Sequence, residues 1–386
     1  MKKISIIVFA FLLTANHQIF AQDNDLGPRD RVITTAVPFL LVPGDARASG
    51  MGDIGIATTP DTYSQQWNPA KYAFAKQEQS VGLSYVPYLR KLASDINVGQ
   101  INYYNRINER SAFAGSLRYF NLGEIESRQN PLEEGLILKP NQLAVDLSYA
   151  LLLSETFSMA VTGRYIRSDL KLQTTFEDAS AANSFSADVS GYFESKEIVY
   201  SDFNGVWRAG FNISNIGPKI KYGDSEEGSF LPTNLGIGGG FDFILDLDNT
   251  VGAYVEFNKL LVPTPSDSND DGVINREDDF YTTSPIGGMF SSFTDAPGGF
   301  SEELKEVTWA LGGEYRYQDT FALRAGYFHE SEEKGYRQYF TLGAGFKYSL
   351  AEINVSYLFN TASATNNPLE GSLRFSLAFN FGKLYD

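Results

Sequence analysis

The chain contains no cysteine and only two histidines, His17 and His329. The first absence excludes a disulfide framework, every thiol-based metal or catalytic site, and a lipid anchor attached through cysteine. The second leaves almost nothing for histidine-based catalysis or zinc, and His329 reads as a surface residue near a strand end. Beyond the N-terminus no run of eighteen residues is continuously apolar, which excludes a helical membrane protein. Basic charge is scarce too: 31 Lys and Arg stand against 47 Asp and Glu, a formal net charge of −16. An acidic chain of this kind is a poor nucleic-acid binder, and the excess reads as solvation of loops and turns. No Ser-His-Asp set, Cys-His pair, Walker loop or paired-carboxylate site can be drawn, so no catalysis is expected. The run Gly236-Ile237-Gly238-Gly239-Gly240 resembles a phosphate loop only superficially; inside a strand pattern, glycine marks a bend or close packing.

What the chain has in quantity is a rhythm. From about Gln79 onward it alternates apolar and polar residues in segments of roughly ten. Leu373, Phe375, Leu377, Phe379 and Phe381 fall on one face of the last segment, Arg374, Ser376, Ala378 and Asn380 on the other. Period two is the signature of a strand with unlike faces. A greasy, aromatic face backed by a charged one is the pattern of a barrel with lipid outside and water within. The mean hydropathy of −0.21 hides this, because only alternate residues would meet lipid. The 29 Phe and 22 Tyr suit the lipid face and its interfacial girdles, and the 35 Gly suit crowded bends.

The N-terminus fits the same compartment. Lys2 and Lys3 precede a short apolar stretch, Ile4 to Leu13, and Ile19-Phe20-Ala21 offers a cleavage site after Ala21. Residues 1–21 read as a secretory signal peptide, too short to span a membrane. Residues 22–78 form an N-terminal segment without strand rhythm, and 79–386 the barrel with long extracellular loops. The N-terminal segment is rich in glycine and small residues, and the expectation is a plug folded into the lumen. A disordered periplasmic tail is the alternative, against which Phe39, Leu40, Leu41 and Val42 argue.

Fourteen strands are predicted, near 79–87, 95–105, 110–120, 141–153, 156–170, 185–194, 203–216, 233–246, 250–260, 304–317, 320–330, 337–349, 352–360 and 371–382. Tight turns and long polar loops alternate between them, with loops at 121–140, 171–184, 217–232, 261–303 and 361–370. Short periplasmic turns and long outer loops are what an outer-membrane barrel requires, and an even count returns both ends to the periplasm. The outward sets are Leu143, Val145, Leu147, Tyr149 and Leu151; Val307, Trp309, Leu311 and Tyr315; and Ile353, Val355, Tyr357 and Phe359. Asp146, Arg164, Glu314, Arg316, Arg324, Lys347 and Arg374 are assigned to the lumen, since a charge facing lipid at mid-depth costs roughly 2–4 kcal/mol. There, paired acids and bases are expected to lock the interior; a substrate path is the alternative.

The loop at 261–303 carries the sharpest local motif. Asp267-Ser268-Asn269-Asp270-Asp271-Gly272-Val273-Ile274-Asn275-Arg276-Glu277-Asp278 matches an EF-hand-type calcium loop, with Asp267, Asn269, Asp271, Asn275 and Asp278 at ligand positions. Calcium takes hard oxygen ligands, and Gly272 permits the sharp turn around the ion. Asp278 stands where a bidentate Glu is usual, and an acidic solvated loop with a β-turn is the competing reading. No cofactor is otherwise required.

The segment Asp45-Ala46-Arg47-Ala48-Ser49-Gly50-Met51-Gly52-Asp53-Ile54-Gly55-Ile56-Ala57, followed by Gln66-Trp67-Asn68-Pro69-Ala70, resembles the N-terminal signature of FadL-type outer-membrane barrels. Gly163-Arg164-Tyr165-Ile166-Arg167-Ser168-Asp169-Leu170 and Asn212-Ile213-Ser214-Asn215-Ile216-Gly217-Pro218-Lys219-Ile220 narrow this to a resemblance to the PorV family of the Bacteroidetes type IX secretion system. It runs over essentially the whole mature chain; five residues after Phe381 depart from an aromatic C-terminus. The resemblance implies a fourteen-stranded FadL-like barrel in the outer membrane of a Gram-negative bacterium. It also implies a carrier that takes C-terminal domains of exported cargo from a large translocon barrel to a sortase-like attachment protease, with outer-membrane lipid around it. By topology the loops 121–140, 217–232 and 261–303 would meet cargo. A FadL-type transporter of hydrophobic small molecules is the alternative, and an open diffusion porin a third reading that a plug would block.

Overall fold

The computed structural model describes residues 31–385, apart from 92, 128–134, 171–180, 223–227, 270–273, 275–277 and 362–368. The predicted signal peptide at 1–21 lies outside the described residues. Fourteen long strands make up the wall: β1 (Gln77–Pro87), β2 (Asn97–Arg106), β3 (Ser111–Asn121), β4 (Asn141–Ser154), β5 (Phe157–Asp169), β6 (Ala182–Glu194) and β7 (Asn204–Ile216). They continue as β8 (Asn234–Ile244), β9 (Asn249–Leu260), β10 (Val307–Tyr317), β11 (Phe321–His329), β12 (Gln338–Tyr348), β13 (Ala351–Asn360) and β14 (Leu373–Leu384). Each pairs antiparallel with the next, and β14 pairs with β1 through Tyr85↔Phe375 and Leu83↔Leu377, so the sheet closes on itself. Closure removes the edge that lipid could not satisfy.

All fourteen predicted strands are present. The tightest connections, 107–110, 155–156, 245–248, 318–320 and 349–350, alternate with the longer 122–140, 170–181, 217–233 and 261–306. The strand predicted at 304–317 begins at Val307, because Phe300–Lys305 is a short helix. The sixth connection is longer than the other turns, and there Ile198–Val199 pairs back onto Asn204 and Gly205. Two loops hold structure that no period-two reading could show. Ile125–Ser127 pairs with Leu136–Leu138, and 261–306 contains the helices Asp279–Thr282, Pro285–Ser291 and Phe300–Lys305.

The faces follow the alternation. Leu147, Phe185 and Leu323 are 71%, 67% and 61% exposed on the outer face, whereas Asp146, Arg164, Glu314, Arg324 and Arg374 are buried on the inner one. Arg316 is half-buried on that inner face. Lys347 has the inward parity but stands beside the turn at 349–350 and is exposed.

The segment from Arg31 to Lys76 packs against these inner faces. Phe39, Leu40 and Val42 join a cluster with Val86, Val98, Phe120 and Ile166. Met51 and Ile54 join Tyr254, Ala310, Phe328, Tyr339 and Leu358; Tyr72 and Ala73 join Tyr104, Ala150, Ala160 and Tyr192. Two of its turns are capped locally: the Asp45 carboxylate accepts from the Ala48 N–H at 2.9 Å and the Asn68 side chain from the Ala70 N–H at 3.1 Å. The wall glycines allow the approach. A Cβ at Gly326 would stand 2.0 Å from the Met51 carbonyl carbon, and one at Gly236 would meet Ile56 at 2.2 Å. The glycine run in β8 is thus close packing, as its place in a strand suggested.

Candidate functional site

Three layers make up the interior and its outer mouth: a lattice of ion pairs, a mixed cavity, and a shelf formed by the long loop. The lattice is anchored by Arg47. Its Nε and Nη2 donate to the two carboxylate oxygens of Glu314 at 3.0 and 2.9 Å, and its Nη1 to Asp61 at 2.8 Å. Glu314 also accepts from Arg324 Nε at 2.7 Å, and Arg324 reaches Asn354 at 2.7 Å. A two-pronged guanidinium–carboxylate pair is among the stronger hydrogen-bonded contacts, and here it ties the N-terminal segment to β10.

Further ties run round the wall. Arg374 meets Asp53 at 2.7 Å, and Tyr339 donates to the same carboxylate. Glu256 accepts from the N–H groups of Gly55 and Ile56, both at 2.9 Å. Arg118 donates to the Leu40 carbonyl at 2.9 Å, and within the segment itself Lys71 donates to the Gly55 carbonyl at 2.8 Å. Within the wall, Arg164 binds Asp146 at 2.6 Å and Asp188 at 2.9 Å and also donates to Asn215. Arg208 and Arg316 share Asp242 at 2.7 Å each. The expected pairing of inward acids and bases is therefore present. Asp188, Asp242 and Glu256 join the inward set, where their parity with buried neighbours also puts them. Arg47 and Asp53 could not be found in that way, because their segment has no period.

Bordering this lattice, and lined in part by its Asp53, Glu256 and Arg374, is a cavity of about 550 Å³. Leu40, Trp67, Tyr88 and Phe328 give it apolar wall, while Glu256, Glu306, Glu330, Lys334, Arg337 and Arg374 line it with charge.

The loop 261–306 is clamped beside it. Lys259, at the end of β9, binds Glu306 at 2.7 Å and Glu303 at 2.9 Å. Lys334 binds Glu302 at 2.8 Å and Glu306 at 2.9 Å, Thr264 donates to Glu306 at 2.6 Å, and Arg31 meets Glu302 at 3.2 Å. Burial alone would raise the Glu306 carboxyl, but the hydrogen bonds from Lys259, Thr264 and Lys334 outweigh it and hold it below the usual glutamate value. Glu302 is held down in the same way: burial raises it, but the hydrogen bonds from Lys334 and the Gly298 N–H together with the charges of Lys334 and Arg31 outweigh burial.

Of the predicted calcium ligands, Asp271 and Asn275 lie outside the described residues. Asp278 is buried and accepts from the Ser268 N–H at 2.7 Å, and Asp267 and Asn269 precede it in the same loop. His329 ends β11 on the outer face and stacks on Trp309 at 5.0 Å, a half-buried place in the aromatic rim.

A closed fourteen-strand barrel, aromatic outside and ion-paired within, is an outer-membrane β-barrel protein of the FadL-like class. Known structures share this fold at low identity. The TodX deltaS2S3 mutant monoaromatic hydrocarbon channel is 12% identical with a TM-score of 0.50, over 87% of this chain and 99% of that one. The Pseudomonas putida toluene transporter TodX is 12% identical at 0.49, over 87% and 98%, and a Pseudomonas aeruginosa FadL homologue 11% identical at 0.44, over 91% and 99%. No curated protein sequence matches the chain. The family model for type IX secretion system protein PorV matches residues 25–267, and the chain belongs to that family. Its place is the outer membrane of a Gram-negative bacterium.

Proposed function

We propose that this protein is the carrier of the type IX system. It takes the C-terminal domains of exported proteins as they leave the large translocon barrel and delivers them to a sortase-like attachment protease. It has no catalytic step of its own. The family match supports this reading, and so does one structural observation: buried ion pairs join the N-terminal segment to the inner wall at β10 and β14, and its backbone N–H groups donate to a buried carboxylate of β9. Releasing such a segment would strand several charges at once, which costs several kcal/mol per ion. The segment then acts as a fixed plug, and traffic passes the outer surface instead of the lumen. Cargo meets the loops 121–140, 217–232 and 261–303, which stand on the side where exported protein emerges. A calcium ion held by Asp267, Asn269, Asp271, Asn275 and Asp278 would order the third of these loops.

The second reading, transport of a hydrophobic small molecule, draws support from the cavity beside Leu40, Trp67 and Phe328. Its charged lining disfavours that use, because each charge must be desolvated by an apolar ligand. Gentle detergent extraction of a tagged copy from its native membrane separates the two. Co-purification of a very large barrel, a sortase-like protease or secreted proteins sharing a C-terminal domain is the expected result. A lone barrel holding a fatty acid would overturn the carrier reading.

A further inference from the structure

The two longer helices of the loop 261–306 are built inside out. At about 100° per residue, Ile286, Phe290 and Phe293 share one side of Pro285–Ser291 and its C-terminal extension. They are 57%, 74% and 46% exposed. The opposite side carries Gly288 and Ser292, both buried, and a Cβ at Gly288 would lie 2.9 Å from Pro263 and 3.2 Å from Phe230. Phe300–Lys305 repeats the plan. Phe300 and Leu304 are 76% and 57% exposed, while Glu302 and Glu303, with Glu306 just beyond, are buried against Lys334, Arg31 and Lys259. A helix at a water surface buries its apolar stripe and shows its acids. Here five large apolar side chains face away from the protein.

Their position indicates what covers them. Glu306 and Lys334 line the cavity at the barrel mouth, so the apolar sides turn away from the lumen. Lys259 has the outward parity of Phe257, and its strand neighbour in β10 is Val307, one outward pair beyond Phe257↔Trp309. The Phe293 ring lies 6.0 Å from the Lys259 ammonium. The shelf therefore continues the lipid-facing wall just past the rim of Trp309, Tyr327 and His329. Its acids are matched by Lys259, Lys334 and Arg31, so they bring no unpaired anion towards the membrane.

We infer that Ile286, Phe290, Phe293, Phe300 and Leu304 are seated in the outer leaflet, as an interfacial anchor that holds the loop against the lipid surface. Such an anchor fixes the height and orientation of the loop over the membrane. The inference stands apart from the cargo reading and survives its failure.

The absence of native cysteine permits a direct test. Single variants Phe290→Cys and Phe300→Cys are spin-labelled and reconstituted in phosphatidylcholine–phosphatidylglycerol vesicles. Leu311→Cys on the wall and Glu332→Cys in the exposed polar turn 330–337 serve as references. Folding of each variant is checked by its heat-modifiable mobility. The expected result is that labels at 290 and 300 collide with oxygen several-fold more than with a water-soluble nickel chelate, as at 311. Labels as accessible to the chelate as at 332 would overturn the inference. So would labels that become dry only when outer-membrane proteins are added, since the patch would then be a protein contact.

Discussion

Two regions sit against the barrel without being part of its wall, and they treat apolar side chains in opposite ways. The N-terminal segment buries Phe39, Met51, Ile54 and Tyr72 completely against the inner faces, whereas the loop 261–306 leaves Phe290 and Phe300 about three-quarters exposed. Both are fastened by ion pairs, Arg47 to Glu314 in one and Lys259 to Glu303 and Glu306 in the other. The apolar surface of the segment is spent on folding. That of the loop is left over for whatever adjoins it. A charged clamp can therefore serve two ends: one makes a segment part of the core, the other presents a surface.

The comparison breaks most severely at Arg47. Arg47→Ala leaves Glu314 and Asp61 buried with fewer counter-charges, and removal of one partner of a buried pair costs about 3–5 kcal/mol. A clear fall in the unfolding temperature and new protease sites within 31–76 are expected; an unchanged digest would show that the segment is not held in this way. Met51→Ala removes a fully buried side chain from the cluster around Tyr254 and Phe328, and about 2–5 kcal/mol is expected from denaturant unfolding.

The loop should respond differently. Phe290→Ser with Phe300→Ser leaves the protein's own packing intact and removes only lipid contact, so each should cost no more than the roughly 1.5–3 kcal/mol of moving a large apolar side chain from lipid to water. The same substitution at Phe39 should be far more costly, and equal losses at both places would erase the contrast drawn here.

Acidification sharpens it further. The carboxyls of Glu302 and Glu306 are held below their usual value of 4.5, so the folded loop binds protons less readily than the unfolded one. Their stabilising contribution is complete above that usual value and is lost as the pH falls through the lowered folded values. Limited proteolysis from pH 7 to pH 3 should open 261–306 at the acid end while the barrel keeps its mobility. The smallest effect concerns calcium: a calcium-dependent rise in melting temperature should disappear in Asp267→Ala with Asp271→Ala. If wild type shows no rise, the loop is only acidic.

Much of the wall could be read before its structure was seen. The lipid-facing residues Leu147 and Phe359 and the lumenal Asp146 and Glu314 are each placed by parity, because a strand sends successive side chains to opposite faces. Loop lengths likewise separated the end with tight turns from the end with long connections. The shelf was not legible: its helices are seven and six residues long, and their stripes run against the usual pattern.

The number of strands, the face of most wall residues and the family are legible in the linear order of residues. Those properties depend on local backbone geometry or on short runs of residues. That Arg47 meets Glu314, that Arg374 meets Asp53, and that Lys259 is covered by Glu303 and Glu306 follows from the folded chain alone. The first two partners lie 267 and 321 residues apart and the last pair 44 and 47 apart, brought together by register and closure of the wall. Which charge finds which is set by the closed circumference of the barrel and the path of the segment inside it, and no periodicity along the chain encodes either.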